Sequence, residues 1–189
     1  MALTDCIVDI ALIHHPVVNK NGEIIGSAVT NLDLHDIARA ARTYEVRNYF
    51  VATPFKDQRA LIGEITGHWH QGHGAEYNPV RGQALQLIKP VESLQQAVER
   101  ITEKDGALPL VIATSAQQQE KTISYRELLK QAETNSRTVL IVFGTAHGLA
   151  QEILDECDGI LPPIRGNGDY NHLSVRSAVS IILDRLLGN

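Results

Sequence analysis

Six short apolar runs, rich in β-branched residues and separated by stretches of helical spacing, constrain this chain more than any other feature. They cover residues 7–15, 48–54, 84–90, 108–115, 138–144 and 159–164. Each is short for a helix, and most read as strands buried on both faces. Between them, Leu34, Ile37, Ala38 and Ala41 share one helical face, as do Leu94, Ala97, Val98 and Ile101. Residues 124–132 and 150–157 form two shorter amphipathic stretches. The last helical stretch, 173–187, places Val175, Ala178, Val179, Ile182, Leu183 and Leu186 over a wide arc. Such an arc predicts cover on more than one side, by the chain's own sheet and by a second subunit. Strands alternating with helices predict an α/β fold: a mainly parallel sheet of about six strands with helices on both faces and ligands at the strand ends. A length of 189 residues fits one domain spanning 1–189. Residues 67–83, "GHWHQGHGAEYNPVRGQ", are too glycine-rich for a helix interior and show no strand alternation, so a long loop is expected there.

Composition narrows the function classes. A net charge of −5 excludes a generally basic surface, so any nucleic-acid contact must come from a local patch. The only two cysteines, Cys6 and Cys157, fit a reducing cytosol, where they act as small hydrophobes rather than a disulfide. The start, "MALTDCIVDI", has early acids and no basic n-region, unlike a signal peptide. No uncharged apolar run approaches the ~20 residues of a membrane span. A cytoplasmic protein with no membrane partner is expected.

Three stretches carry candidate chemistry. In "TVLIVFGTAHGLAQEIL" a strand ends at Gly144 and a helix is expected near Leu149, with Gly144 and Gly148 allowing sharp turns and free N–H groups at the helix start. On its own this pattern equally describes a plain strand-to-helix turn. In "ILPPIRGNGDYNHLSVRSA", Pro162 and Pro163 stop a strand, and Asp169 or Asn171 caps the final helix. Asp169, Tyr170, Asn171 and His172 give more hydrogen-bonding groups than a cap requires, which points to a ligand. In "NLDLHDIARAARTY", Asn31 and Asp33 sit at an expected helix start, with Arg39 further along.

Together these stretches resemble the motif set of the SPOUT superfamily, the knotted RNA methyltransferases that use S-adenosylmethionine, and most of all a small bacterial branch of it. "FGTAHGL" resembles the second motif, with His147 in or beside the position where glutamate is usual, and "PIRGNGDYNHLSVRSA" matches the third in spacing. In the third motif Ile164 stands for methionine, Tyr170 for serine and His172 for asparagine. Asp33 and Arg39 resemble the first motif, with aspartate for asparagine. The resemblance is strongest over residues 138–188 and weak before 108. It implies a carboxy-terminal trefoil knot, with knot and cofactor pocket in about 108–188, in a homodimer joined through the last helix. Three loops would converge on S-adenosylmethionine, giving cofactor contacts at Thr114, Ser115, Gly144, Thr145, Gly148, Ile164, Asn171, His172, Leu173 and Ser174. Arg39 would bind substrate phosphate or activate the base, and Asp169 is the best carboxylate for a general base. The substrate implied is tRNA or rRNA, with a base nitrogen or a ribose 2′-oxygen as acceptor. Two rivals remain open: a cofactor-binding module of this fold without catalysis, and an unknotted nucleotide-binding α/β protein.

His68, His70 and His73 lack a fourth ligand and a standard metal spacing, so no metal is expected. Trp69, Tyr77 and Arg81 are residue types that stack on or grip RNA, and equally types that pack locally. His14 and His15 read as local hydrogen-bonding residues.

Overall fold

In a computed structural model, which describes residues 6–71, 73–135 and 137–188, all six apolar runs contribute strands to one sheet. The strands are β1 (Val8–Ile13), β4 (Tyr49–Ala52), β5 (Ile88–Val91), β6 (Leu110–Thr114), β7 (Val139–Gly144) and β8 (Gly159–Leu161). They pair in the order β5-β4-β1-β7-β6-β8, all parallel. A small antiparallel pair, β2 (Val17–Val18) and β3 (Ile24–Ile25), follows β1. The helices are α1 (Asn31–Thr43), α2 (Lys56–His70), α3 (His73–Tyr77), α4 (Pro79–Leu85), α5 (Leu94–Asp105), α6 (Tyr125–Asn135), α7 (Gln151–Glu156) and α8 (Val175–Leu187).

Strand alternation divides the core in two. Val8, Ile10 and Leu12 of β1 face a layer containing α1, α2, α4, α6 and α8, whereas Ala11 and Ile13 face α5 and α7. Helices therefore cover both faces, as parallel strands require. The outer strand β5 carries Pro90, which has no N–H to offer, as suits a sheet edge. At the other edge, β8 bonds on its far side to the segment before α6: Ile123 N–H donates to Ile160 O, and Ile160 N–H to Lys121 O. β8 thus lies between β6 and residues 121–123.

Most of the expected loop over 67–83 is helical instead, in α2, α3 and α4. α2 runs through Gly67 to His70, and Asn78 caps α4, accepting from Arg81 N–H with Pro79 following it. Gly82 is needed for a close helix approach rather than a loop. A Cβ there would lie 2.8 Å from the Trp69 carbonyl oxygen. Likewise Ala84 and Leu85 belong to α4 and are buried, so the strand expected from 84 is only Ile88–Val91. The side chain of His73 falls outside the described part.

Four of the six arc residues of α8 are covered within one chain. Val179, Ile182, Leu183 and Leu186 are buried against the α1–α6 side of the sheet, while Ser177, Ser180 and Asp184 face outward. Val175 and Ala178, the rest of the arc, are only half-buried in the single chain. Among the described residues no helix is long and apolar enough to cross a membrane.

Candidate active site

Parallel pairing brings the ends of the three motif-bearing strands together. Gly144 of β7 pairs in register with Ile13 of β1, and Thr114 of β6 with Leu161 of β8. The loops leaving these ends share one rim of the sheet, where open α/β sheets bind ligands. Asn171 Nδ2 donates to the Ala116 carbonyl at 2.6 Å, joining the loop before α8 to the loop after β6. Ser115 Oγ accepts from Gln117 N–H at 3.0 Å and shapes that second loop. Thr114 turns its hydroxyl inward to Val142 O. Ile164 packs half-buried against the core, and Leu173 is exposed. His172 meets the Tyr170 ring edge-on at 5.4 Å between centroids. The residue capping α8 is Ser174, whose Oγ accepts from Ser177 N–H, rather than Asp169 or Asn171.

The turn after β7 is closed from the other side. Gly144 cannot carry a side chain, because its Cβ would lie 2.8 Å from Leu149 N. The helix expected near Leu149 begins at Gln151, and three N–H groups before it are already used. His147 N–H donates to Val18 O, Gly148 N–H to Thr145 O, and Ala150 N–H to Pro16 O. Their engagement leaves this turn as a wall rather than an anion-holding helix start.

Thr145 also works internally. Its hydroxyl donates to Ile13 O at 3.0 Å and lies 2.5 Å from Ser27 Oγ, and His14 Nδ1 lies 3.0 Å from the same Oγ. With the Thr145 proton committed to Ile13, Ser27 donates to Thr145 and His14 Nδ1–H donates to Ser27. His14 Nε2 is then a bare lone pair, buried and without a hydrogen-bond partner among the described residues. Burial lowers the His14 pKa to about 4, despite the opposing field of Asp33. His14 does make local hydrogen bonds, as expected, but the Ser27 relay was not foreseen.

Motif one and motif three meet at the helix starts. Thr30, not Asn31 or Asp33, caps α1, accepting from Asp33 N–H and donating to Asp33 Oδ2. Arg176, the second residue of α8, donates to the buried Asp33 carboxylate at 2.8 Å and lies 3.4 Å from Asp36. Arg176 escaped the sequence reading; its one signal is a cation two residues past the Ser174 cap. Arg39 lies elsewhere, exposed, in a pocket of about 300 Å³ lined by Asn31, Leu32, His35, Asp36, Trp69 and Arg81. Asp169 is exposed in the loop before α8 and does not line that pocket.

Comparison with known proteins identifies the class. A family model described as SAM-dependent RNA methyltransferase matches residues 7–188. The chain belongs to this family of S-adenosylmethionine-dependent RNA methyltransferases. It is 46% identical over 95% of its length to a tRNA (guanine-N(1)-)-methyltransferase of Oleidesulfovibrio alaskensis, of which it spans 41%. An uncharacterized protein of Aquifex aeolicus is 42% identical over 94% of this chain and 86% of its own. The SpoU methyltransferase AviRb of Streptomyces viridochromogenes, solved in complex with AdoMet, superposes with a TM-score of 0.59 at 14% identity, over 96% of this chain and 56% of that one. The α/β fold and the resemblance drawn from the motifs both hold.

Proposed function

We propose that this chain binds S-adenosylmethionine at the rim formed by β6, β7 and β8 and methylates RNA. What supports the reading, within a chain of this family, is the Asn171–Ala116 hydrogen bond, which ties two of the three motif loops into one surface. The residues fit the cofactor. Ile164 and Leu173 offer apolar contact to adenine, the loop backbones from Thr114 to Ala116 and from Asn171 to Ser174 offer donors and acceptors, and Gly144 keeps the β7 end low. The cofactor supplies an electrophilic methyl on a sulfonium. The protein must hold the accepting atom in line with it and take up a proton. Within one chain Asp169 does not line the pocket that holds Arg39. A homodimer abutting the starts of α1 and α8 would add neighbours to both. Leu32, Tyr170 and Leu173 are exposed apolar residues near those starts, which Arg176 holds together. The trefoil knot expected from the resemblance agrees with the position of β8 inside the turn of chain at 121–123.

We read the substrate as tRNA with a base nitrogen as acceptor, in line with the name of the Oleidesulfovibrio relative. The chain spans about two fifths of that protein, so the ribose 2′-oxygen of tRNA or rRNA is retained as an outcome of the assay. Titration calorimetry is expected to show micromolar binding of S-adenosylmethionine. Gly144→Ala, whose new Cβ meets backbone, is expected to weaken it by about 100-fold, or ~3 kcal/mol. Absence of binding by the unaltered protein overturns the reading. Nucleoside mass spectrometry of RNA from a deletion strain separates catalysis from binding alone. Light scattering is expected to give twice the 20.8 kDa chain mass; a monomer removes the dimer from the proposal.

A further inference from the structure

The pocket around Arg39 has a second half that the motifs do not touch. Trp69 ends α2 and Arg81 lies in α4, with the Arg81 guanidinium 5.1 Å from the Trp69 ring centroid. His35 of α1 meets Trp69 edge-on at 5.3 Å. Burial first, then the Arg81 charge and more weakly Arg39, lower the His35 pKa, so both cations lie close to a neutral ring. Neither Arg39 nor Arg81 has an acidic partner among the described residues. Asp36, the carboxylate in the pocket wall, lies 3.4 Å from Arg176 instead. On a chain of net charge −5, two uncompensated arginines beside an indole and an imidazole form a local anion-and-ring site.

We propose that this pocket seats one unpaired nucleotide of the RNA substrate. The base stacks on the Trp69–Arg81 pair, the phosphate lies against Arg39 and Arg81, and the neutral His35 ring offers one donor and one acceptor. Stacking on an aromatic ring or a guanidinium plane is how proteins hold splayed-out RNA bases, and it tolerates any base. A pocket of about 300 Å³ is at the lower end of what small ligands occupy, which limits it to a single nucleotide. The proposal rests on the RNA methyltransferase reading but uses residues outside the cofactor rim.

Trp69 is the sole tryptophan of the chain, so its fluorescence reports on this pocket alone. Titration with a short unstructured RNA oligonucleotide is expected to quench it saturably. Arg81→Gln is expected to weaken RNA binding about tenfold and to reduce the slope of log affinity against log salt by about 1. Arg39→Gln is expected to do the same, which guards against a local disturbance of Trp69 by the first variant. S-adenosylmethionine affinity, measured by calorimetry on the Arg81→Gln protein, is expected to be unchanged. If labelled RNA binds by anisotropy while Trp69 emission stays constant and both variants bind like the unaltered protein, the pocket assignment fails and the methyltransferase reading stands. If RNA quenches Trp69 but S-adenosylmethionine does not bind, the methyltransferase reading fails and the RNA pocket stands. Failure of both ligands to bind overturns both.

Discussion

Replacing Arg47 with alanine is expected to lower the unfolding free energy by about 3–5 kcal/mol, the cost of leaving a buried charge without its partner. Asp9 is the second residue of β1 and has no exposed surface. Its carboxylate accepts from Arg47 Nε at 3.1 Å, from Arg47 Nη2 at 2.5 Å and from Asn48 Nδ2 at 2.9 Å. The other edge of the guanidinium bonds both oxygens of Asp105 at the end of α5, and Thr138 completes that carboxylate. The network thus ties β1, α5 and the approaches to β4 and β7 at one end of the sheet. The hydrogen bond to Asp9, more than the Asp105 contact, raises the Arg47 pKa, and Arg47 in turn holds the Asp105 carboxyl below its usual value. Chemical denaturation at neutral pH measures the loss. The paired replacement Asp9→Asn with Arg47→Met is expected to recover part of it, because neither leaves an isolated charge. A loss below about 1 kcal/mol for the single variant would show that the carboxylate finds other compensation.

The second large effect is with acid. His14 has a folded-state pKa of about 4 against 6.5 for a free imidazole. Below pH 6.5 the unfolded chain takes up a proton that the folded chain refuses, so stability falls as pH drops and levels off near pH 4. The loss attributable to this one residue is about 2 kcal/mol at pH 5 and about 3 kcal/mol at full protonation. Denaturant unfolding at pH 7.5 and pH 5 is expected to give a steeper decline for the natural chain than for His14→Gln. The difference between the two pH values isolates the proton from any packing cost of the substitution. Equal declines would mean that His14 is charged in the folded protein.

Period and composition made the sheet legible. Every apolar run contributed a strand, though the run from 84 begins in α4, because a buried parallel strand leaves little room for polar alternation, and that signal is local. What escaped is what depends on distant contacts. The helical character of 67–83 was masked by Gly67 and Gly82, and only the approach of Trp69 explains the second. Asp9 carries no signal in its apolar run, because its partners Arg47 and Asn48, and Asp105 beyond them, come from other elements. For the site, motif spacing indicated the loops that meet at Ala116 and Asn171 but not where their polar atoms turn. Thr145 spends its hydroxyl on Ile13 and Ser27. The Arg39 pocket needed side chains from α2 and α4, which carry no motif.

Both borders of the sheet are sealed, one by Pro90 and the other by residues 121–123. Both features discourage a neighbouring molecule from lengthening the sheet by adding a strand of its own. Self-association by side-by-side contact between helical or loop surfaces, which leaves the backbone ladder undisturbed, is favoured over strand addition.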